Sequence, residues 1–277
     1  MDVSEPGDHQ INRTVPRFRY RLGGFWWIAL SLAAALVMWE LFTRLTDLPP
    51  FLLPSPALVW TRFWQVANDG TLLRHILYTL VEILAGLALG VTAATTIGYL
   101  LAKSPTIERL LSPYVVASQA IPIVAIAPLL VIWFGPGIIS KILICALIVF
   151  FPVLINTIVG LRSVPEDLHD LMRSLQATPR QTFWLLEVPA ALPVFLGGLR
   201  VGATLAVIGA VVGEFVGADR GLGFLVNRAR GQYDTALVFV AILTLVILAL
   251  SMYGIVTFLE RHLLAWQKRK EQDILIK

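Results

Sequence analysis

Long apolar runs separated by short polar stretches dominate the chain. A helix needs about 20 apolar residues to cross the roughly 30 Å of bilayer hydrocarbon. Six stretches meet that length, at residues 25–43, 76–102, 113–134, 138–160, 194–216 and 235–259. They predict an all-α polytopic membrane protein of about six transmembrane helices. The first run leaves through WELFTR rather than a small-residue cleavage site, so it reads as a retained span. The longest polar interruption is LRSVPEDLHDLMRSLQATPRQTFWLLEVPAALP, residues 161–193. Within it Ser163, Pro165, Glu166 and Asp167 read as an N-cap, a first-turn proline and first-turn acids. Leu168, Leu171, Met172 and Leu175 then fall at i, i+3, i+4 and i+7, one apolar stripe on an otherwise polar helix. Thr178-Pro179 starts a second short helix, expected to end at Pro189 and Pro193. A helix pair of this kind, outside the bilayer and tied to it at both ends, is suited to transmitting a push from a partner.

Composition agrees with the pattern: 57% of the 277 residues are hydrophobic and 14% charged, too apolar for a soluble domain. Lys and Arg set the orientation. Arg13, Arg17, Arg19, Arg21, Lys103, Arg109, Arg162, Arg173, Arg180 and the basic C-terminal tail share one side. They outnumber Arg44, Arg62, Arg74, Lys141, Arg220, Arg228 and Arg230 on the other, which predicts cytoplasmic termini and a cytoplasmic 161–193 loop. The expected organisation is a tail at 1–24, a transmembrane domain at 25–260 and a basic tail at 261–277. Net charge +4 reads as membrane orientation and not as nucleic-acid binding.

Several polar and small residues inside the spans stand out. Glu82 and Glu214 are costly in hydrocarbon and must face protein or water. They lack an evident intramembrane cation other than Arg200. Glu214, with Gln119, is a candidate polar group of the translocation path, and Glu82 supports them from behind. Gln119 precedes Pro122 by one turn in a span that Pro122 and Pro128 should kink. It suits a translocation path and suits an interhelical hydrogen bond equally well. Gly198, Gly202, Ala206, Gly209, Gly213 and Gly217 line one helix face, fit for close packing or for meeting a second copy of the chain. In the loop before residue 70, Ser55-Pro56 should open a short helix carrying Trp60, Phe63 and Trp64. No phosphate-binding GxxxxGK[ST], HExxH or GxSxG motif occurs, and His9, His75, His169 and His262 have no metal-ligand spacing. No catalytic residue, metal or cofactor is expected.

The loop DLMRSLQA followed by VPAALP resembles the cytoplasmic loop of permease subunits of ATP-binding-cassette importers, whose pattern is EAA, a short spacer, Gly, and a longer spacer to Pro. Aligned on Leu175 and Ala177, Asp170 takes the Glu position, Leu171 and Met172 the Ala positions, and Gln176 the Gly position. The resemblance implies ATPase docking by Leu171, Met172 and Leu175, with Asp170 and Arg173 steering. Gln176 in place of Gly is expected to alter the turn. LLPSPALVW, TLVEILAGLALG, ASQAIPIVAIAPLLVIWFGPGIISK and LRVGATLAVIGAVVGEFVGADRGLGFL resemble one subgroup over residues 50–260, the importers of sulfonates, nitrate, taurine and small vitamins. SQAIPIVAIAPL with IGAVVGEF is most similar to permeases for riboflavin and for the hydroxymethylpyrimidine precursor of thiamine. The implied partners are cytoplasmic ATPase subunits, an extracytoplasmic solute-binding protein and a second permease copy in the cell membrane. A secondary transporter, the other transport class, should show inverted repeats or coupling-ion carboxylates, and no convincing repeat is present.

Overall fold

The computed structural model describes residues 24–46 and 48–265, and every regular element among them is helical. Expectations for residues 1–23 and 266–277 lie outside the described residues. Residues up to Leu48 form a unit of their own, whose helix α1 (Gly24–Thr46) buries none of its described side chains. An ion pair at 2.7 Å joins its Arg44 to Glu40 one turn back.

The second unit begins at Pro49. It holds α2 (Pro56–Asn68), α3 (Thr71–Lys103), α4 (Pro105–Gln119), α5 (Ile123–Phe134), α6 (Ile138–Arg162) and α7 (Glu166–Ser174). Then come α8 (Pro179–Thr182), a π-helical turn (Phe183–Glu187), α9 (Val188–Gly217), α10 (Leu222–Gly231) and α11 (Thr235–Leu263). Helix α6 stands at the centre, flanked by α3 and α9, with α11 against α9 and α5 against α6. The core is built from Ile83 and Ala94 of α3, Cys145, Val149 and Val153 of α6, Ala203 and Ala206 of α9, and Met252 and Val256 of α11.

Small residues set these distances. A Cβ placed on Gly90 of α3 would stand 2.7 Å from the carbonyl oxygen of Ala146. One placed on Gly209 of α9 would stand 2.8 Å from Cys145 Cα. Without a net hydrophobic drive between helices in lipid, this close approach supplies the attraction.

Among the described residues, five helical runs can cross a membrane by length and composition, or six if a bent pair counts as one span. The bent pair corrects the single kinked span expected at 113–134. Helix α4 ends at Gln119, α5 starts at Ile123, and the two are inclined by 93°. The cause lies in residues 120–122. Ile121 precedes a proline and is steered out of the helical region, and Pro122 has no N–H to give. Pro128 lies inside α5 without breaking it.

Two further expectations are corrected. Pro189 and Pro193 end nothing, because helical backbone runs from Pro179 to Gly217. The wide π turn releases the carbonyls that Pro189 cannot reach, so the chain passes through it uninterrupted. Ser163 is not the N-cap of α7 either. It closes α6, its hydroxyl donating to the Gly160 carbonyl at 2.7 Å, while Pro165 occupies the cap position of α7. The short helix opened by Ser55-Pro56 is present as α2, with Leu58 N–H donating to Ser55 Oγ at 3.3 Å.

Candidate functional site

Helix α7 joins α6 to the run that becomes α9, and it buries none of its residues. Leu168, Leu171 and Leu175 are 41%, 53% and 67% exposed, an i, i+3, i+7 ridge presented outward. Met172, expected in that ridge, is half-buried. Arg173 donates to Asp170 at 2.8 Å, both strongly exposed. The helix stops in a Schellman turn: Ala177 N–H donates to the Met172 carbonyl at 3.0 Å and Gln176 N–H to that of Arg173 at 2.9 Å. Gln176 stands at φ 54. The expected alteration of the turn therefore does not occur; the left-handed geometry is kept and Gln176 bears the strain. A capping box at Thr178 and Gln181 starts α8.

Behind this surface lies Glu187, 2% exposed, at the end of the π turn. Its Oε1 accepts from Lys103 Nζ at the end of α3 and lies 3.5 Å from His169 Nε2 on α7. Lys103 also sits over the Tyr99 ring, 5.8 Å from its centroid, and Tyr99 packs edge-on against Phe183. Nearby, Arg162 at the end of α6 pairs with Glu108 of α4. Lys103, His169, Arg173 and Glu187 line a cleft of about 420 Å³. Sequence reasoning missed this group. Its signal was Glu187 itself, a lone acid in the apolar string FWLLEVPAALP.

The sequence-predicted carboxylates meet at the opposite end of the helices. Glu214 is 1% exposed and Glu82 3%. Glu214 Oε1 accepts from Thr79 Oγ1 at 2.6 Å and its Oε2 from the Gly223 N–H. Thr79 Oγ1 in turn accepts from Leu222 N–H at 2.8 Å, and His75 Nδ1 accepts from Gly221 N–H at 2.9 Å. Lys141, 1% exposed, donates to the carbonyls of Pro136 and Gly217. Buried carboxylates persist where donors converge on them, and here the donors come from α3 and from the loop that opens α10. Gly221, at φ +109, and Gly223 leave the space in which the Glu214 carboxylate lies. Arg200 is not the cation for this cluster, since it pairs with Glu260 of α11 and covers the Tyr253 ring at 5.6 Å. Gln119 is not part of the cluster; it is exposed at the end of α4, beside the 120–122 break.

Of the two roles expected for the glycine stripe, the structure shows close packing. Gly198 faces Asn156, Gly202 faces Val149 and Val153, Gly209 faces Cys145, and Gly213 faces Lys141, all on α6; Gly217 faces Val131 of α5. The stripe packs inside the chain and is not free to meet a second copy. Among the described residues, no group of three His, Cys, Asp or Glu side chains is arranged to hold a metal ion.

Comparison with known proteins fits this architecture. Residues 86–265 match the family model described as binding-protein-dependent transport system inner membrane component. The chain is 46% identical over 261 residues to the riboflavin transport system permease protein RibX of Chloroflexus aurantiacus, covering 93% of this chain and 97% of the relative. It is 39% identical over 235 residues to the formylaminopyrimidine transport permease protein ThiX of Halalkalibacterium halodurans, covering 85% and 93%. In fold it is similar to a chain from the inward-facing conformations of the MetNI methionine ABC transporter (CY5 native crystal form). The TM-score is 0.64 at 20% identity, over 71% of this chain and 98% of that one. The chain belongs to the binding-protein-dependent transport system inner membrane component family, as a multi-pass permease subunit of an ABC importer.

Proposed function

We propose that this permease carries riboflavin, or a closely related heteroaromatic vitamin precursor, into the cell. The solute is handed over by an extracytoplasmic binding protein, and ATP is hydrolysed on a separate subunit. The observation that carries the substrate is the 46% identity to a riboflavin permease across 93% of the chain. In this reading residues 25–260 are the permease domain, with cytoplasmic tails at 1–24 and 261–277. The loop at 161–193 is a cytoplasmic coupling element whose α7 enters a groove on the ATPase through Leu168, Leu171 and Leu175, helix-in-groove fashion. Asp170 and Arg173 steer that contact, and Gln176 and Ala177 hold its exit turn. Gln119 is the polar group proposed for the translocation path, with Glu214 and Glu82 bracing the helices behind it.

Cassette ATPases work as pairs and the chain offers one α7, so two copies are proposed, related by a twofold axis, the commonest closed symmetry. With the glycine stripe packed on α6, the proposed contact shifts to the other face of α9, where Val201, Ile208 and Phe215 are exposed at seven-residue intervals. The test of the substrate is a thermal shift of the cognate binding protein, since a bound ligand raises the melting temperature of the form it binds. Riboflavin should raise it, and ATP-dependent riboflavin uptake should follow in proteoliposomes. Stabilisation by taurine, a sulfonate or nitrate instead would sink the vitamin assignment and leave the runner-up permease class.

A further inference from the structure

Glu187 is a carboxylate that packing alone gives no reason to keep. It lies in an otherwise apolar string and is 2% exposed, where an ionised group is costly unless paired, and an apolar residue would fill the space without that cost. Its partners come from two separate elements, Lys103 at the end of α3 and His169 on α7. The backbone delivering it is the π-helical turn Phe183–Glu187, a rare form that concentrates at functional sites. Helix α7 fully buries none of its side chains, so apolar contact holds it only lightly. His169, half-buried, is the side chain that reaches back from it.

We propose that Glu187 is a positioning residue of the transport cycle, a polar joint fixing α7 to the ends of α3 and α9. This rests on the reading of α7 as the ATPase-docking helix. An apolar contact slides, because it has no preferred direction, whereas a carboxylate shared between Lys103 and His169 fixes register. Displacement of α7 is thereby passed to both spans together. The joint also has a second arrangement within reach. Glu187 Oε2 has no hydrogen-bond partner among the described residues, and Arg173, now on Asp170, lines the same cleft of about 420 Å³. When α7 moves, the carboxylate exchanges His169 for Arg173 without leaving the cleft. Two discrete pairings are the kind of element that carries coupling between distant sites.

The experiment compares Glu187→Gln, His169→Gln and the swap Lys103→Glu with Glu187→Lys, in the full permease purified with its ATPase and reconstituted. Copurification should survive in all three. In Glu187→Gln, ATP hydrolysis should persist while riboflavin imported per ATP falls about tenfold, within the usual range of coupling between linked sites. The swap should recover most of that loss. In the permease alone, His169→Gln, a change at a partly exposed position that leaves the core intact, should speed amide exchange of residues 166–174 about fivefold with α3 and α9 unchanged. Unchanged exchange in His169→Gln overturns the joint, as does an unchanged solute-to-ATP ratio in Glu187→Gln. Failure of the docking reading would look different. ATPase copurification would then survive Leu171→Glu, while the exchange measurement, made without ATPase, still decides whether the joint holds α7.

Discussion

Two glycines on α9 differ in what faces them, and the difference should be measurable. A Cβ on Gly209 would meet Cys145 Cα at 2.8 Å and Cys145 Sγ at 3.3 Å, whereas one on Gly197 would meet nothing within 4 Å. Ordinary carbon contacts lie at about 3.5–4.0 Å, and the obstructing atom is backbone. Gly209→Ala therefore forces α9 away from α6 by about 1 Å. Both substitutions gain the same helix preference of alanine over glycine, about 1 kcal/mol, so their difference cancels it. What is left is the overpacking cost, about 1–3 kcal/mol. Gly202→Ala should fall between them, because its nearest neighbours are methyl groups of Val149 and Val153 at 3.2 and 3.3 Å, which can turn aside. The assay is unfolding by SDS titration in one mixed-micelle system, followed by circular dichroism and tryptophan fluorescence. Gly197→Ala should match or exceed the parent, and Gly209→Ala should unfold first. Equal midpoints for Gly197→Ala and Gly209→Ala would refute close helix contact as the source of stability.

Three other changes follow from the same geometry. Leu171→Glu with Leu175→Glu should abolish ATPase copurification while leaving the unfolding midpoint within about 0.5 kcal/mol of the parent, as exposed positions do; retained copurification and transport would remove α7 from the docking surface. Gln176→Gly should stabilise the permease by about 1 kcal/mol through relief of left-handed strain, and Gln176→Val should destabilise it, both read from the same titration. Gly221→Ala combines a φ of +109 with direct overlap of the Glu214 carboxylate and should cost about 3 kcal/mol or more, a loss that Gly231→Ala, with nothing within 4 Å, should not reproduce.

Runs of apolar residues were enough to place the helices, because a span is a local property of length and composition. Breaks were harder. Pro122 and Pro189 look alike in sequence, yet one divides two helices and the other sits in continuous helix, since the π turn before Pro189 absorbs its missing bond. The apolar stripe of α7 was legible from periodicity, and the fold adds only that Leu168, Leu171 and Leu175 are exposed while Met172 is half-buried. The glycine series on α9 was readable as a packing face without revealing its partner, which is α6 of the same chain. Lys141 was counted as an outside-loop charge, and only the fold brings it beneath Gly217. Glu187 drew no attention because its partners, Lys103 and His169, lie 84 and 18 positions away.

The central helix has a practical consequence. Cys145, the one cysteine of the sequence, is fully buried, with Gly86 against one side and Gly209 against the other, and its Sγ lies 3.5 Å from the Ala206 carbonyl. A thiol reagent cannot reach it while α3, α6 and α9 remain together. Its labelling rate is therefore a clock for their separation, readable in the unaltered protein. Each 1.4 kcal/mol of opening free energy slows that clock about tenfold. Added nucleotide or binding protein that parts these helices would shorten the half-time of modification, and any that locks them would lengthen it.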